Sequence, residues 1–405
     1  MGVLPKIESL SVRPHDFVLR SYNDGQVLST QNTLPYTLNR YSAPYLQIHR
    51  ADYHHVLVDE ALRLGVDIKL NSHVTGVDFS KPAVKFGDGQ EDFEADLVIG
   101  ADGLKSVTRE TLLARKDPPR LTGDLAYRII VKASDLRRHP SLLSLVETPA
   151  ITIWMGPDCH AVGYLLKGGD LYNIVLVCPD NLPEMVNTQK ADLDEMRGIF
   201  AGWDERLRAL LELVTETSKW RLQNCGEMDQ WVAKEGTFAL LGDACHATLP
   251  YLYIFPPPFL KAKLTFNPNR ASGAAMAVED GYCLGLLLSH ISPSKNKQTS
   301  SRIALHDILT IYESLRKSRT SRIVMQSSHN RQIFHMHDGP RQRERDRQLM
   351  EFDRNPYEGY PNKWKDPVFQ EWLWGYDVES EVASAWKRYA EGRFPGTGGA
   401  FRSRL

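Results

Sequence analysis

The sequence contains no C-x-x-C pair, no apolar run long enough to cross a bilayer and no surplus of charge of either sign. Each absence removes a class of protein. Five scattered cysteines, Cys159, Cys178, Cys225, Cys245 and Cys283, support neither a zinc site nor a disulfide framework, so reduced, mostly buried thiols are expected and no metal is. The longest apolar stretches, such as 173–178 and 284–288, fall well short of the roughly 20 residues of a spanning helix. The N-terminal stretch from Met1 to Leu10 lacks the apolar segment of a secretory signal. A formal net charge of −1 gives no electrostatic reason to expect nucleic acid or an anionic membrane as partner, which leaves a small molecule as the default. Ser403-Arg404-Leu405 is close to the S-K-L peroxisomal address, but so short a match arises by chance, and a cytoplasmic protein is the expectation. None of these features fixes an oligomeric state.

What remains is an ordinary globular composition, 42% hydrophobic and 24% charged over 405 residues, enough for two domains or one large mixed sheet with an attached domain. Near the start, Phe17–Tyr22, Asn23-Asp24-Gly25 and Gln26–Leu28 predict a hairpin, because Asp-Gly supplies the positive φ of a tight turn. His49–Gly65 predicts an amphipathic helix with Tyr53, Val56, Leu57, Ala61 and Leu64 on one face. Strands are expected over 67–79, 83–86 and 91–99, the last running into a Gly-flanked acidic turn at Asp102-Gly103 with Ser106 placed to cap a helix carrying Arg109. From Leu121 to Cys178 the composition shifts to strands, read as a second, mostly antiparallel sheet that continues through a helical stretch at 191–214 and a strand at 219–222. Helical spacing dominates from Arg302, the tail from Gly339 to Trp364 reads as polar surface, and Trp372–Tyr389 as one more helix.

The chain is organised around Gly236–Gly285. A short buried strand at 237–241 ends in Asp243, and a helix opens at Gly273, which puts a carboxylate at a strand end close to a helix N-terminus, the usual cofactor position in an α/β sheet.

Together these residues resemble the FAD-dependent aromatic monooxygenases of the salicylate-hydroxylase type. Asp96–Arg109 is similar to that family's DG motif and Gly242–Pro250 to its GD motif. His49-Arg50, Ala126-Tyr127-Arg128, Trp220-Arg221-Leu222, the 274–284 helix and Tyr312–Arg316 follow in the family's order, from about Pro44 to about Ala390. The implied fold is α/β: a Rossmann-like FAD-binding domain in two parts, 1–120 and 236–300, an antiparallel substrate sheet over 121–235, and a helical region and tail over 301–405. The implied activity is hydroxylation of a small aromatic substrate with FAD as cofactor and NAD(P)H and O2 as co-substrates.

The resemblance implies cofactor contacts at Arg50, Asp102, Gly103, Asp243, Gly273 and Ala274, and substrate contacts at Arg128 and Tyr164. Each has a plainer alternative. Asp243 could be a helix N-cap, Asp102-Gly103 a structural turn, Arg50 an exposed helix-start cation, Arg128 a sheet-surface cation and Tyr164 a core aromatic. His246, although beside Asp243, reads as a packed residue rather than a catalytic one.

Two departures stand out. No G-x-G-x-x-G turn follows a strand and opens a helix anywhere in the chain; Gly87-Asp88-Gly89 reads as a hairpin turn and Gly396-Thr397-Gly398-Gly399 lies in the tail. Measured against the family, the FAD-binding domain is therefore expected to be incomplete, without its first βαβ unit and with impaired FAD binding as the alternative outcome. In addition, 253–272 makes the connection after the GD motif roughly 20 residues longer than a tight loop needs, and its Pro256-Pro257-Pro258 run has no evident place beside a flavin. A translated intron is the expected source, since Leu252-Tyr253-Ile254 can be encoded with a splice-donor sequence; finding the segment in mature transcript would remove that reading.

Overall fold

A computed structural model describes residues 2–87, 89–248, 273–291 and 300–395, with the side chains of 300–304 excluded. The expected intron-like segment 253–272 and the terminal Ser403-Arg404-Leu405 lie outside the described residues. The strands, in chain order, are β1 (Ser11–Val12), β2 (Asp16–Ser21), β3 (Val27–Asn32), β4 (Gln47–Ile48), β5 (Val74–Asp78), β6 (Ala83–Phe86), β7 (Phe93–Glu94), β8 (Val98–Gly100), β9 (Arg120–Lys132), β10 (Ala150–Gly156), β11 (Cys159–Leu166), β12 (Leu171–Pro179), β13 (Thr188–Lys190), β14 (Ser218–Asn224) and β15 (Phe238–Leu240). The helices are α1 (Leu4–Leu10), α2 (Leu34–Tyr41), α3 (Arg50–Arg63), α4 (Val107–Leu113), α5 (Ala133–Leu136), α6 (Leu193–Ile199), α7 (Glu205–Glu212), α8 (Asp243–His246), α9 (Gly273–Leu288), α10 (Ser300–Phe334), α11 (Pro340–Glu351), α12 (Pro367–Trp374) and α13 (Val378–Ala390). Several helices start where an aspartate accepts backbone N–H bonds: Asp192 on α6, Asp204 on α7, Asp366 on α12 and Asp377 on α13. Among the described residues no helix is long and apolar enough to cross a membrane.

The expected α/β class, antiparallel sheet and C-terminal helices are those observed. The central element is an eight-stranded sheet in the order β13-β14-β9-β12-β11-β10-β2-β3, antiparallel except where β10 runs parallel to β2. The hairpin read at Phe17–Leu28 forms, but it does not join the sheet of the acidic turns. It extends the large sheet, because β2 pairs with β10 across a long stretch of sequence, Ile151 opposite Phe17 and Ile153 opposite Leu19.

Alternation along the strands divides this sheet cleanly. On one face Tyr127, Ile129, Trp154, Leu165, Tyr172 and Ile174 pack under α5, α6 and α7. On the other, Phe17, Leu19, Ile153, Val162 and Tyr164 meet Met276 of α9, Ile323 and Phe334 of α10 and Trp374 of α12. A second core joins β8 and β15 to α9, α10 and α13. There β15 lies parallel to β8, Phe238 opposite Val98 and Leu240 opposite Gly100.

The strand expected over 67–79 is shortened to β5, which begins only at Val74, and the single helix expected over 372–389 is two, α12 and α13. At Gly375 between them a Cβ would stand 2.6 Å from the Glu371 carbonyl oxygen, so the chain turns where only glycine fits. The tail read as polar surface is instead docked. Pro340 starts α11 at a position where its missing N–H is no loss, and Arg345, Leu349, Tyr360, Asn362 and Trp364 are all buried.

Candidate functional site

The acidic turn after β8 is built by its own side chains. Asp102 accepts hydrogen bonds from Ser106 Oγ (2.6 Å), Thr108 Oγ1 (2.6 Å) and Thr108 N (3.0 Å). Desolvation would raise the Asp102 carboxyl, but these donors outweigh it and hold it below the usual carboxylate range. Ser106 caps α4 as expected, accepting from Arg109 N at 2.8 Å. Gly103 has φ +80°, a left-handed conformation, and a Cβ there would meet nothing within 4 Å, so the turn presents bare backbone to open space. At Gly100 a Cβ would stand 2.3 Å from Thr108 Oγ1 and 2.9 Å from Leu240, which fixes the close approach of β8, β15 and the turn.

Arg109 is the residue whose role the sequence concealed. Fully buried, it pairs with Asp117 (3.0 Å) and donates to the carbonyl oxygens of Leu104 (2.8 Å) and Ala244 (3.0 Å). One guanidinium thereby ties the first acidic turn to the second.

That second turn follows β15. Gly242 has φ +65° and itself occupies the N-cap of α8, so Asp243 is the first helical residue and not the cap. A Cβ on Gly242 would lie 3.1 Å from Ala277 Cβ, and one on Gly273 would lie 3.0 Å from Asp243 Oδ1. The two glycines therefore let the turn and the start of α9 press together, with the Asp243 carboxylate beside the α9 N-terminus. Ala274 packs toward the cluster of α1, α3 and β4, which also contains Ile48 and Tyr53 on either side of Arg50. Arg50 itself opens α3 and is exposed.

Behind α9 lies a charged network that sequence reading missed. Asp280 Oδ2 meets His246 Nε2 (2.5 Å) and the N–H of Gly242 (3.1 Å), while its Oδ1 pairs with Arg316 (2.7 Å). Glu279 pairs with Arg316 (2.7 Å) and Arg319 (2.9 Å). Burial would raise the Asp280 carboxyl, but His246 and Arg316 pull it down to about 2. From α10, Tyr312 donates to Leu240 O (3.0 Å), and Glu313 accepts from Trp231 N (2.7 Å). The segment Tyr312–Arg316 is thus a strap onto β15 and α9, and its three polar members at i, i+1 and i+4 were the available signal. Cys245, His246 and Asp280 bring donor atoms within 4.8 Å of one another. With both Asp280 oxygens already engaged, this cluster reads as packing, in line with the expectation for His246.

On the large sheet, Arg128 (β9) and Tyr164 (β11) share the face turned toward α9. The register shows it: Tyr164 is opposite Asn173, Asn173 opposite Ile130, and Arg128 precedes Ile130 by one alternation. Tyr164 is buried, and burial pushes its hydroxyl up while the Arg128 charge offsets part of the rise, so it stays protonated and able to donate. Arg128 stands 5.6 Å from the Trp220 ring centroid. His160 lies on the same face, its Nδ1 2.7 Å from His335 Nε2 at the end of α10, and burial lowers His335 to about 4. Nothing local in the sequence signalled that pairing.

The donor set suits a flavin's ring edge and hydroxyl chain. Gln47 is buried with neither Oε1 nor Nε2 partnered among the described residues. Its neighbours Leu46 and Ile48 face the α1/α3 cluster while Tyr45 faces that of Tyr164, so the Gln47 amide turns toward the sheet. An open amide, a carboxylate at a strand end and the helix start beside it together match such a group.

The FAD binding domain family matches residues 2–252, more than half of the chain. The FAD-dependent monooxygenase OpS4 of Beauveria bassiana is 38% identical over 386 residues, 95% of this chain and 84% of its own length. The 3-hydroxybenzoate 6-hydroxylase of Polaromonas naphthalenivorans is 28% identical over 389 residues, 95% of this chain and 84% of its own. Among solved structures, a salicylate hydroxylase substrate complex superposes with a TM-score of 0.71 at 24% identity, covering 94% of this chain and 86% of the other, a likeness of fold. With its paired acidic turns, its flavin-compatible donors and these relatives, the chain belongs to the FAD-dependent aromatic-ring monooxygenases of the salicylate-hydroxylase type and is an enzyme of that family.

Proposed function

We propose that the protein uses FAD, NAD(P)H and O2 to hydroxylate a small aromatic substrate held between the Arg128–Tyr164 face of the large sheet and the start of α9. The observation that carries this reading is the shared cluster of Tyr164 with Met276, which sets the first turn of α9 against that face. When bound, FAD would supply the redox chemistry, taking two electrons from NAD(P)H and giving them to O2, so that one oxygen atom enters the ring and the other leaves as water.

The chain's own residues bind, orient and shield. Asp243 accepts hydrogen bonds from hydroxyls of the cofactor's chain, and the N–H groups of Gly273 and Ala274 with the α9 dipole favour negative charge held beside them. Gln47 offers one donor and one acceptor to the ring edge. The exposed backbone at Asp102-Gly103 and the Arg50 side chain serve the remainder of the cofactor. Arg128 pairs with an anionic substituent on the substrate, and Tyr164, kept protonated, donates its hydroxyl to a ring oxygen. Phe17, Trp364 and Phe334 keep the adjoining face apolar and water away from it.

A second reading, impaired FAD binding, is favoured by the two-stranded size of the β8–β15 sheet among the described residues. Titrating purified protein with FAD separates them. Flavin absorbance bands that co-elute with the protein, and NAD(P)H oxidation stimulated by an aromatic acid, support the hydroxylase. A protein that stays colourless at excess FAD sinks it.

A further inference from the structure

We infer that Asn173 is a specificity-determining residue, donating an amide N–H to an oxygen substituent of the ring held by Arg128 and Tyr164. The inference rests on the proposed substrate site. Asn173 sits in the middle of β12, flanked by Tyr172 and Ile174, which pack into the opposite core, so its own side chain points to the Tyr164 face. It is directly opposite Tyr164 on β11 and Ile130 on β9, with Arg128 one alternation away, which by sheet geometry puts each of these side chains within about 8 Å of Asn173.

It is only 4% exposed, and its Nδ2 has no partner among the described residues. Its same-face neighbours along the strands, Val162, Val175 and Val177, are apolar, and a valine at 173 would satisfy the packing. A buried donor with nothing to donate to is a cost without return in the free protein. It is explained if a ligand oxygen completes the bond. The three groups then form a stripe across adjacent strands: a cation, a neutral donor and a hydroxyl. That combination selects a ring bearing a carboxylate or hydroxyl over one bearing an alkyl group in the same place.

The test uses the full chain reconstituted with FAD, with 3-hydroxybenzoate and 3-methylphenol as probes whose binding is read from the flavin absorbance. For Asn173→Val, the dissociation constant for 3-hydroxybenzoate should rise roughly tenfold or more, that for 3-methylphenol should change less, and the thermal midpoint should equal or exceed wild type. Asn173→Ser, which keeps a donor, should recover part of the affinity and serves if the valine variant does not fold. A merely structural Asn173 would reverse the pattern, lowering the thermal midpoint with probe affinities unchanged, and that overturns the inference while leaving the hydroxylase reading intact. A wild-type holoprotein that binds neither probe overturns both.

Discussion

A single buried guanidinium holds the two acidic turns together, and its removal is the sharpest test of that connection. Arg109→Met leaves Asp117 with only the exposed Arg115 (3.3 Å) as a cationic partner and three carbonyl oxygens without that donor, a loss of about 3 kcal/mol. Thermal melting should register it, and flavin retention should fall with it because the Ala244 contact is lost. The Asp280 carboxyl gives a pH prediction. Its folded value, pulled from 3.8 to about 2, lies below the unfolded one, so its stabilisation is complete above about pH 4 and fades as the pH falls toward 2. Asp280→Asn should be less stable at neutral pH and should show a shallower loss between those limits in acid unfolding monitored by circular dichroism. At this scale the sequence was half legible. Asp243, Asp102 and Tyr164 could be singled out because they sit in short patterns with a stated chemistry. The Ala244 contact of Arg109 and the partners of Asp280 and His160 could not, since each is supplied by a segment far along the chain.

Elements with a strong local signal were readable: α3 and α10 follow their apolar spacing, and β9, β10 and β12 their β-branched and aromatic composition. The docked tail was not, because proline and charge are locally indistinguishable from surface until partners are known. Asp353 is the peg. It accepts from Ser29 Oγ (2.6 Å) and Lys365 Nζ (2.8 Å), and Asn362 donates to the same Ser29 (2.9 Å). Asp353→Ala should loosen the segment between α11 and α12 from β3, by about 1–3 kcal/mol for the groups left unsatisfied. Limited proteolysis should then cut within 351–366 while the β9–β12 core stays resistant.

For the molecule as a whole, the large sheet is a partition, with one face packed under α5, α6 and α7 and the other against α9, α10 and α12. All five cysteines are buried on one or other side of this architecture, and burial pushes the thiols of Cys159 and Cys283 up to about 12. A thiol reagent at neutral pH should therefore label the native protein slowly and label it fully only on unfolding, a reading that also reports cooperativity.

The parallel pairing of β8 with β15 sets an order in time. Between those two strands the chain must complete the whole of β9 through β14, so the contact closes a very long loop and is entropically late. Refolding should show the large sheet forming first, by far-ultraviolet circular dichroism, and quenching of added FAD fluorescence only afterwards. The cofactor then acts as a witness to completed assembly: a chain that has not closed that loop has nothing with which to capture it.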